Sequence, residues 1–261
     1  MRSKSNGGLA LAVGLAYCVL GTGPITAEVQ KSQAADFEAV IVADGLDHPW
    51  GLAFLPDGQM LVTERDGSLR RIAADGSVSK PITGVPEVFA RGQGGLLDVV
   101  LHPDYRSNGW LYLSYSKPGA GGAKTAVARA KLSGDALRDV TTIFVADNGS
   151  SGGRHFGSRL AFGPDGKLYV SVGERGQADK AQDLTNHNGT VVRLNDDGSI
   201  PADNPFVGQA DVPPSTYSFG HRNPQGMAVH PVRGEVWVNE HGPQGGDEIN
   251  LVKSGANYGW P

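Results

Sequence analysis

Residues Trp50–Glu64 read WGLAFLPDGQMLVTE: a short apolar strand, a proline-centred turn, and a second strand with apolar alternation. The same arrangement returns at Leu97–Ser114 (LDVVLHPDYRSNGWLYLS), Leu160–Glu174 (LAFGPDGKLYVSVGE) and Met227–Glu240 (MAVHPVRGEVWVNE). The anchoring prolines Pro56, Pro103, Pro164 and Pro231 stand 47, 61 and 67 residues apart. Asp57-Gly58 and Asp165-Gly166 predict tight hairpin turns, because glycine accepts the positive φ such turns demand. Phe37–Val42, Leu69–Ile72, Ala126–Leu132, Thr142–Val145 and Thr190–Leu194 read as further strands between the hairpins, and helical periodicity is nearly absent. Units of about four strands recurring every ~40–50 residues describe a β-propeller. A β-sandwich is the competing all-β reading, and the long-interval recurrence of one hairpin favours the propeller. The growing spacing puts longer loops on the later blades, where binding residues tend to sit.

Composition agrees with a turn-rich all-β protein. Glycine accounts for 38 of 261 residues, about twice the usual share of roughly 7%, and the glycines fall singly between apolar runs. With 39% hydrophobic and 19% charged residues the chain is globular, and a net charge of −4 argues against nucleic-acid binding. Arg2 and Lys4 precede an apolar run, Leu9–Leu20, and then Gly21, Pro24 and Ala27. That is the pattern of a secretory signal peptide over residues 1–27, too short to span a bilayer. Its removal leaves a net charge of −6 and takes away Cys18, the only cysteine. A periplasmic or secreted protein without disulfides or a stable membrane anchor is expected, and the bulky Tyr17 argues against a lipid anchor on Cys18. Residues 28–261 would form the propeller domain. The ending Asn257–Pro261 is a glycine-rich loop with no strand after it, which predicts a chain that stops short of closing its ring.

Four loop segments beside the hairpins combine polar side chains with glycine: Arg91–Gly95 (RGQGG), Gly152–Arg159 (GGRHFGSR), Gly220–Gly226 (GHRNPQG) and Asn239–Glu248 (NEHGPQGGDE). A radial fold would gather them at one face. His155, between two glycines, is a general base near neutral pH if a partner holds it; a structural or surface histidine is the alternative. Arg222, Asn223 and Gln225 suit a flat, oxygen-rich anion, since a guanidinium pairs carboxylates through two hydrogen bonds; a self-satisfied turn is the alternative there. In HGPQGGDE, glycine lets backbone carbonyls approach a ligand while Asp247 and Glu248 add hard oxygens of the kind calcium takes. The spacing is not that of an EF-hand, and Asn195–Gly198 reads as a turn. No HExxH, P-loop or dinucleotide fingerprint is present: Ala123 interrupts GAGGAKT before Lys124, and no GxGxxG follows a strand. A redox reaction here needs a cofactor other than a nicotinamide held in a Rossmann fold.

Together, RGQGGLLDVVLHPDY, GGRHFGSRLAFGPDGKLYVSVGERG, VVRLNDDGSIPADNPF, GHRNPQGMAVHP and NEHGPQGGDEINL…GANYGWP resemble the soluble quinoprotein sugar dehydrogenases, above all their aldose sugar dehydrogenase branch. The resemblance runs from about Leu46 to Pro261. It implies a six-bladed β-propeller, of which this chain covers about four blades, with pyrroloquinoline quinone (PQQ) and Ca2+ as cofactors. Aldoses would be oxidised at C1 to aldonolactones, with hydride passed to the quinone and electrons then given to an acceptor the sequence does not identify. On matching positions, His155 is the general base and Gln93 lies near cofactor and substrate. Arg222, Asn223 and Gln225 contact the cofactor, with Asn223 near the reacting carbonyl, and His241 belongs to the same set. The carbonyls of Gly242 and Pro243 hold the quinone-bound calcium, with Asp247 close by, and Glu248 and the Tyr258 carbonyl belong to a structural calcium site. Two positions depart from soluble glucose dehydrogenase: Arg154 replaces an acid before the histidine, and His241 replaces a glutamine. The first predicts a His155 without an acid to orient it. A metal-dependent propeller lactonase and a non-catalytic binding propeller are the other readings; the first calls for an ion held mostly by acidic side chains, the second for loss of His155 or HRNPQG.

Overall fold

The computed structural model describes residues 29–261. The expected signal peptide and Cys18 lie outside them. The chain divides into two compact units at Ile41/Val42. In the described part of the first, β1 (Val29–Gln30) pairs antiparallel with β2 (Phe37–Glu38). The strand expected over Phe37–Val42 is thus only two residues long, because its partner offers only two.

The second unit, Val42–Pro261, carries four antiparallel sheets taken strictly in chain order. The first holds β3 (Pro49–Phe54), β4 (Met60–Glu64) and β5 (Leu69–Ile72). The second holds β6 (Leu96–Leu101), β7 (Trp110–Lys117), β8 (Lys124–Ser133) and β9 (Ala136–Val145). The third holds β10 (Leu160–Phe162), β11 (Leu168–Val172), β12 (Thr190–Leu194) and β13 (Thr216–Phe219). The fourth holds β14 (Pro224–Val229), β15 (Val236–Glu240) and β16 (Glu248–Leu251). Each of the four recurring segments is the first hairpin of one sheet. Helix is confined, among the described residues, to α1 (Tyr105–Asn108) and a 3-10 turn at Ala178–Gln182. No helix of the described residues is long and apolar enough to cross a membrane.

Period-2 alternation decides which sheet each side chain meets. Leu111, Leu113 and Tyr115 of β7 pack with Ala53, Leu61 and Leu69 of the first sheet, whereas Tyr112 between them packs with Leu160, Leu168 and Val170 of the third. Leu168 and Val170 face back toward the second sheet, while Tyr169 packs with Val236 and Val238 of the fourth. The second and third sheets therefore each share one core with the sheet before and another with the sheet after, as successive propeller blades do.

The turns follow from Asp-Gly pairs. At Leu55–Gln59 the Gly58 N–H donates to the Leu55 carbonyl (3.0 Å), the Leu55 N–H donates to the Gln59 carbonyl (2.8 Å), and Gly58 has φ +86°. This is a type I turn closed by a left-handed glycine. The Asp57 carboxylate accepts the Gln59 N–H (3.1 Å), fixing the turn from inside. The pattern repeats at Asp66-Gly67, Asp75-Gly76, Asp165-Gly166 and Asp197-Gly198. Asn195–Gly198 is accordingly a turn, as expected.

Candidate active site

Because β10 and β11 run antiparallel, with Leu160 opposite Val170, the residues before β10 and those after β11 lie at the same end of the sheet. The same holds for β6 with β7 and for β14 with β15. Gln93, His155, Glu174, Arg222, Asn223 and His241 all stand on such ends, which is how Gln93 meets His155, 62 positions on, and Gly157 meets Asn223, 66 positions on.

His155 is buried (8% exposed), with a left-handed backbone at φ +55°. Its N–H donates to Gln93 Oε1 (2.7 Å), and the Gln93 N–H donates in turn to the Gly153 carbonyl (2.7 Å). A Cβ on Gly173 would lie 2.1 Å from the His155 carbonyl, so glycine is required for this close approach. Asn223, 2% exposed, accepts the Gly157 N–H through Oδ1 (3.0 Å). Gln93, His155 and Asn223 are thus assembled into one site. The expectation that His155 lacks an orienting acid is overturned. Its Nδ1 lies 2.5 Å from Oε1 of Glu174, which is 2% exposed, and Glu174 Oε2 accepts the Gln177 N–H (2.5 Å). The acid arrives from the end of β11, 19 residues along, and not from the position before the histidine. A carboxylate only accepts, so of the two neutral tautomers the pair selects the one with the hydrogen on Nδ1 and the lone pair on Nε2.

The Glu174 N–H donates to the Arg222 carbonyl (2.9 Å), joining this pair to a second one. Glu240, 7% exposed, accepts His221 Nδ1–H (2.8 Å) and Asn250 Nδ2–H (3.1 Å) at one oxygen. Its other oxygen accepts the backbone N–H of Arg222 (2.6 Å) and of Asn223 (3.3 Å). Burial pushes the Glu240 carboxyl upward, but the His221 bond and charge and the backbone bonds outweigh it and hold the group below its ordinary range. The His221 ring stacks on Tyr258 at 4.4 Å. The Arg222 guanidinium donates to the His241 carbonyl (3.0 Å) and lies over Trp260.

Arg222, His241, Gly242, Pro243, Glu248 and Tyr258 line one cleft of about 220 Å3, together with Trp260. Gln225 and Asp247 do not. Gln225 and Asp247 line a second cleft with Asn239 and Ile249, and the Gln225 backbone carbonyl accepts Arg159 Nε–H (2.8 Å). Asp247 accepts the Gly242 N–H (2.9 Å), which with the nearby His241 holds its carboxyl below the usual range. The described residues contain no group of three or more His, Cys, Asp or Glu side chains disposed to hold a metal. A cation in the first cleft would draw on backbone carbonyls.

The loop that carries His155 is anchored at its start by another buried histidine. His187 accepts the Asp147 N–H through Nδ1 (2.9 Å), donates its own N–H to the Asp147 carbonyl (3.1 Å), and meets Ser215 Oγ at Nε2 (2.8 Å). Burial lowers its pKa to about 4, with Asp147 opposing and Lys124 assisting the fall. The unfolded chain takes up this proton near pH 6.5, before the folded one does. The contribution of His187 to stability is therefore full above about pH 6.5, is lost progressively down to about pH 4, and amounts to roughly 3 kcal/mol. Urea denaturation between pH 7.5 and 4 should show this loss. His187→Asn, which keeps an acceptor near Nδ1, should flatten that part of the curve; an equal slope in both proteins would refute the assignment.

The chain matches the glucose/sorbosone dehydrogenase family over residues 46–261. It is 50% identical over 225 residues to the aldose sugar dehydrogenase YliI of Escherichia coli, an alignment covering 85% of this chain and 61% of that protein. It is 34% identical over 270 residues to quinoprotein glucose dehydrogenase B of Acinetobacter calcoaceticus, covering 91% and 55%. The PQQ-bound aldose sugar dehydrogenase of Streptomyces coelicolor superposes with a TM-score of 0.71 at 34% identity, covering 90% of this chain and 66% of that one. The chain thus spans about three fifths of the length of the curated relatives it matches.

Proposed function

The chain belongs to the glucose/sorbosone dehydrogenase family, and from that premise we propose that it is the larger part of an enzyme that oxidises aldose sugars at C1 to aldonolactones, using PQQ and Ca2+. The single observation that carries the chemistry is the His155–Glu174 pair, 2.5 Å apart and buried at the mouth of the converging loops. Glu174 fixes the ring and its tautomer, so that Nε2 takes the proton from the C1 hydroxyl. Gln93, bonded to the His155 N–H, and Asn223, bonded to Gly157, hold the base from either side.

The residues of the first cleft fit the proposed cofactors. Arg222 Nε and Trp260 Nε1 are buried donors without a partner, as a site for a polycarboxylate requires. The carbonyl-rich Gly242-Pro243 segment and Glu248 offer the hard oxygens that calcium prefers. When bound, PQQ supplies the two-electron acceptor for C1 oxidation, and calcium a Lewis acid that stabilises developing charge. Arg222 would hold a cofactor carboxylate, with Asn223, His241 and the Gly242 and Pro243 carbonyls beside it. Gln225 and Asp247, on the second cleft, would act from behind this wall, Asp247 by fixing Gly242, while Glu248 and Tyr258 would serve the structural ion. The basic and apolar opening of the sequence supports export to the periplasm or outside the cell, where the acceptor would be met.

Dye-linked oxidation of glucose and other aldoses tests the reading. Activity should require both PQQ and calcium and should disappear when calcium is chelated. Turnover that is indifferent to both additions would refute it.

A further inference from the structure

Arg175 follows the acid that orients His155, yet it points the other way and is itself 2% exposed. Its side chain lies beneath the loop leading to His155. One terminal nitrogen donates to the Arg154 carbonyl; the other donates to the carbonyls of Gly152 (2.8 Å), Ser150 (3.3 Å) and Ala123 (3.4 Å). The guanidinium carbon sits 3.4 Å from the centroid of the Phe156 ring, on the far side of the histidine. The Arg175 backbone N–H donates to the His155 carbonyl (3.2 Å). Backbone and side chain of one residue thus hold the segment on both sides of His155.

Two features set this apart from a packed surface arginine. The first is its backbone. Glu174–Gln177 is a turn closed by the Gln177 N–H on the Glu174 carbonyl (3.1 Å), with φ +62° at Arg175 and +74° at Gly176. Both central residues are left-handed, a type I′ turn, in which glycine, asparagine or aspartate is favoured at the first of them. The second is its charge. Among the described residues no carboxylate lies within ion-pair distance of it, and burial lowers its pKa to about 10 despite the nearby Glu174. A strained backbone and a buried charge without an ion pair each cost stability. An apolar side chain would fill the space at lower cost, but only a planar fork of donors reaches four carbonyls at once.

We infer that Arg175 is a positioning residue that holds the Ser150–Arg154 loop, and through it the imidazole of His155, in register with Glu174 and Gln93. The inference rests on reading His155 as the base, and it assigns the residue that keeps that base in place.

Amide hydrogen exchange and the imidazole nitrogen shifts of His155, read by NMR on the full chain without cofactor or sugar, test it in Arg175→Met and Arg175→Lys. The Met variant should exchange about tenfold or more faster at the amides of Gln93 and His155, which close on the loop, while amides of β7 and β8 stay as they were. The Nδ1 signature of the bond to Glu174 should weaken in the same variant. Lysine keeps the charge without the fork, so the Lys variant should show both changes at smaller size; it also serves if the Met variant does not fold. Unchanged exchange at Gln93 and His155, or acceleration spread equally into β7 and β8, would overturn the inference. These readouts need no turnover, so a failed sugar assay would count against His155 as base and leave the positioning result standing.

Discussion

Replacing His155 by alanine should lower kcat/KM for aldose oxidation by about 10³-fold, inside the 10²–10⁴ range typical of a positioned general base. Glu174→Gln should cost about 10²-fold or more, although the two side chains have nearly the same shape. The carboxylate dictates that the hydrogen sits on Nδ1. An amide can turn its NH2 toward that nitrogen, and the hydrogen then moves to Nε2, where the base is needed. The assay is run at saturating PQQ and calcium, so that a loss of cofactor affinity is not counted as a loss of chemistry. A loss below about tenfold in His155→Ala would remove the histidine from the reaction.

Glu240→Ala should destabilise the protein by about 3–5 kcal/mol, the usual cost of taking one partner from a buried pair. Four donors converge on this one carboxylate, and two of them are the backbone N–H groups of Arg222 and Asn223. The wild-type carboxyl is held below its ordinary range, so its contribution is complete above about pH 4.5 and is lost as the pH falls through the lowered value. Urea denaturation at pH 7 compares the variant with the parent. A difference under about 1 kcal/mol would mean that the pair holds nothing together.

The sheets were legible in the sequence because their first hairpins repeat, with apolar residues at every second position and Asp-Gly or proline at the turn. Leu69–Ile72 and Thr190–Leu194, short runs between the hairpins, were legible to the residue as well. β13 and β16 were not: Thr216–Phe219 follows a 21-residue connection from Leu194, and Glu248–Leu251 is polar at its start and exposed along half its length. Both became strands by pairing with β12 and β15, not by a pattern of their own. At the site, the loops could be picked out by their polar and glycine content, but the pairing of His155 with Glu174 could not. Glu174 reads as an ordinary acid ending a strand, and only the antiparallel register of β10 with β11 brings it across.

The Asp-Gly turns also bear on how the protein ages. Among aspartyl links Asp-Gly is the one most prone to rearrange, because the unhindered glycine nitrogen can attack the preceding carboxyl and pass through a cyclic imide to isoaspartate. In the five turns at Asp57, Asp66, Asp75, Asp165 and Asp197 that nitrogen is committed to a carbonyl three residues back, and the carboxyl is tied to the N–H two residues on. The geometry that closes each hairpin therefore also blocks its slow chemical decay. A sixth pair, Asp44-Gly45, lies outside any such turn on a stretch without regular secondary structure ahead of β3. Of the six Asp-Gly pairs, Asp44 should be the first to isomerise in stored protein, away from the blades and from the site they carry.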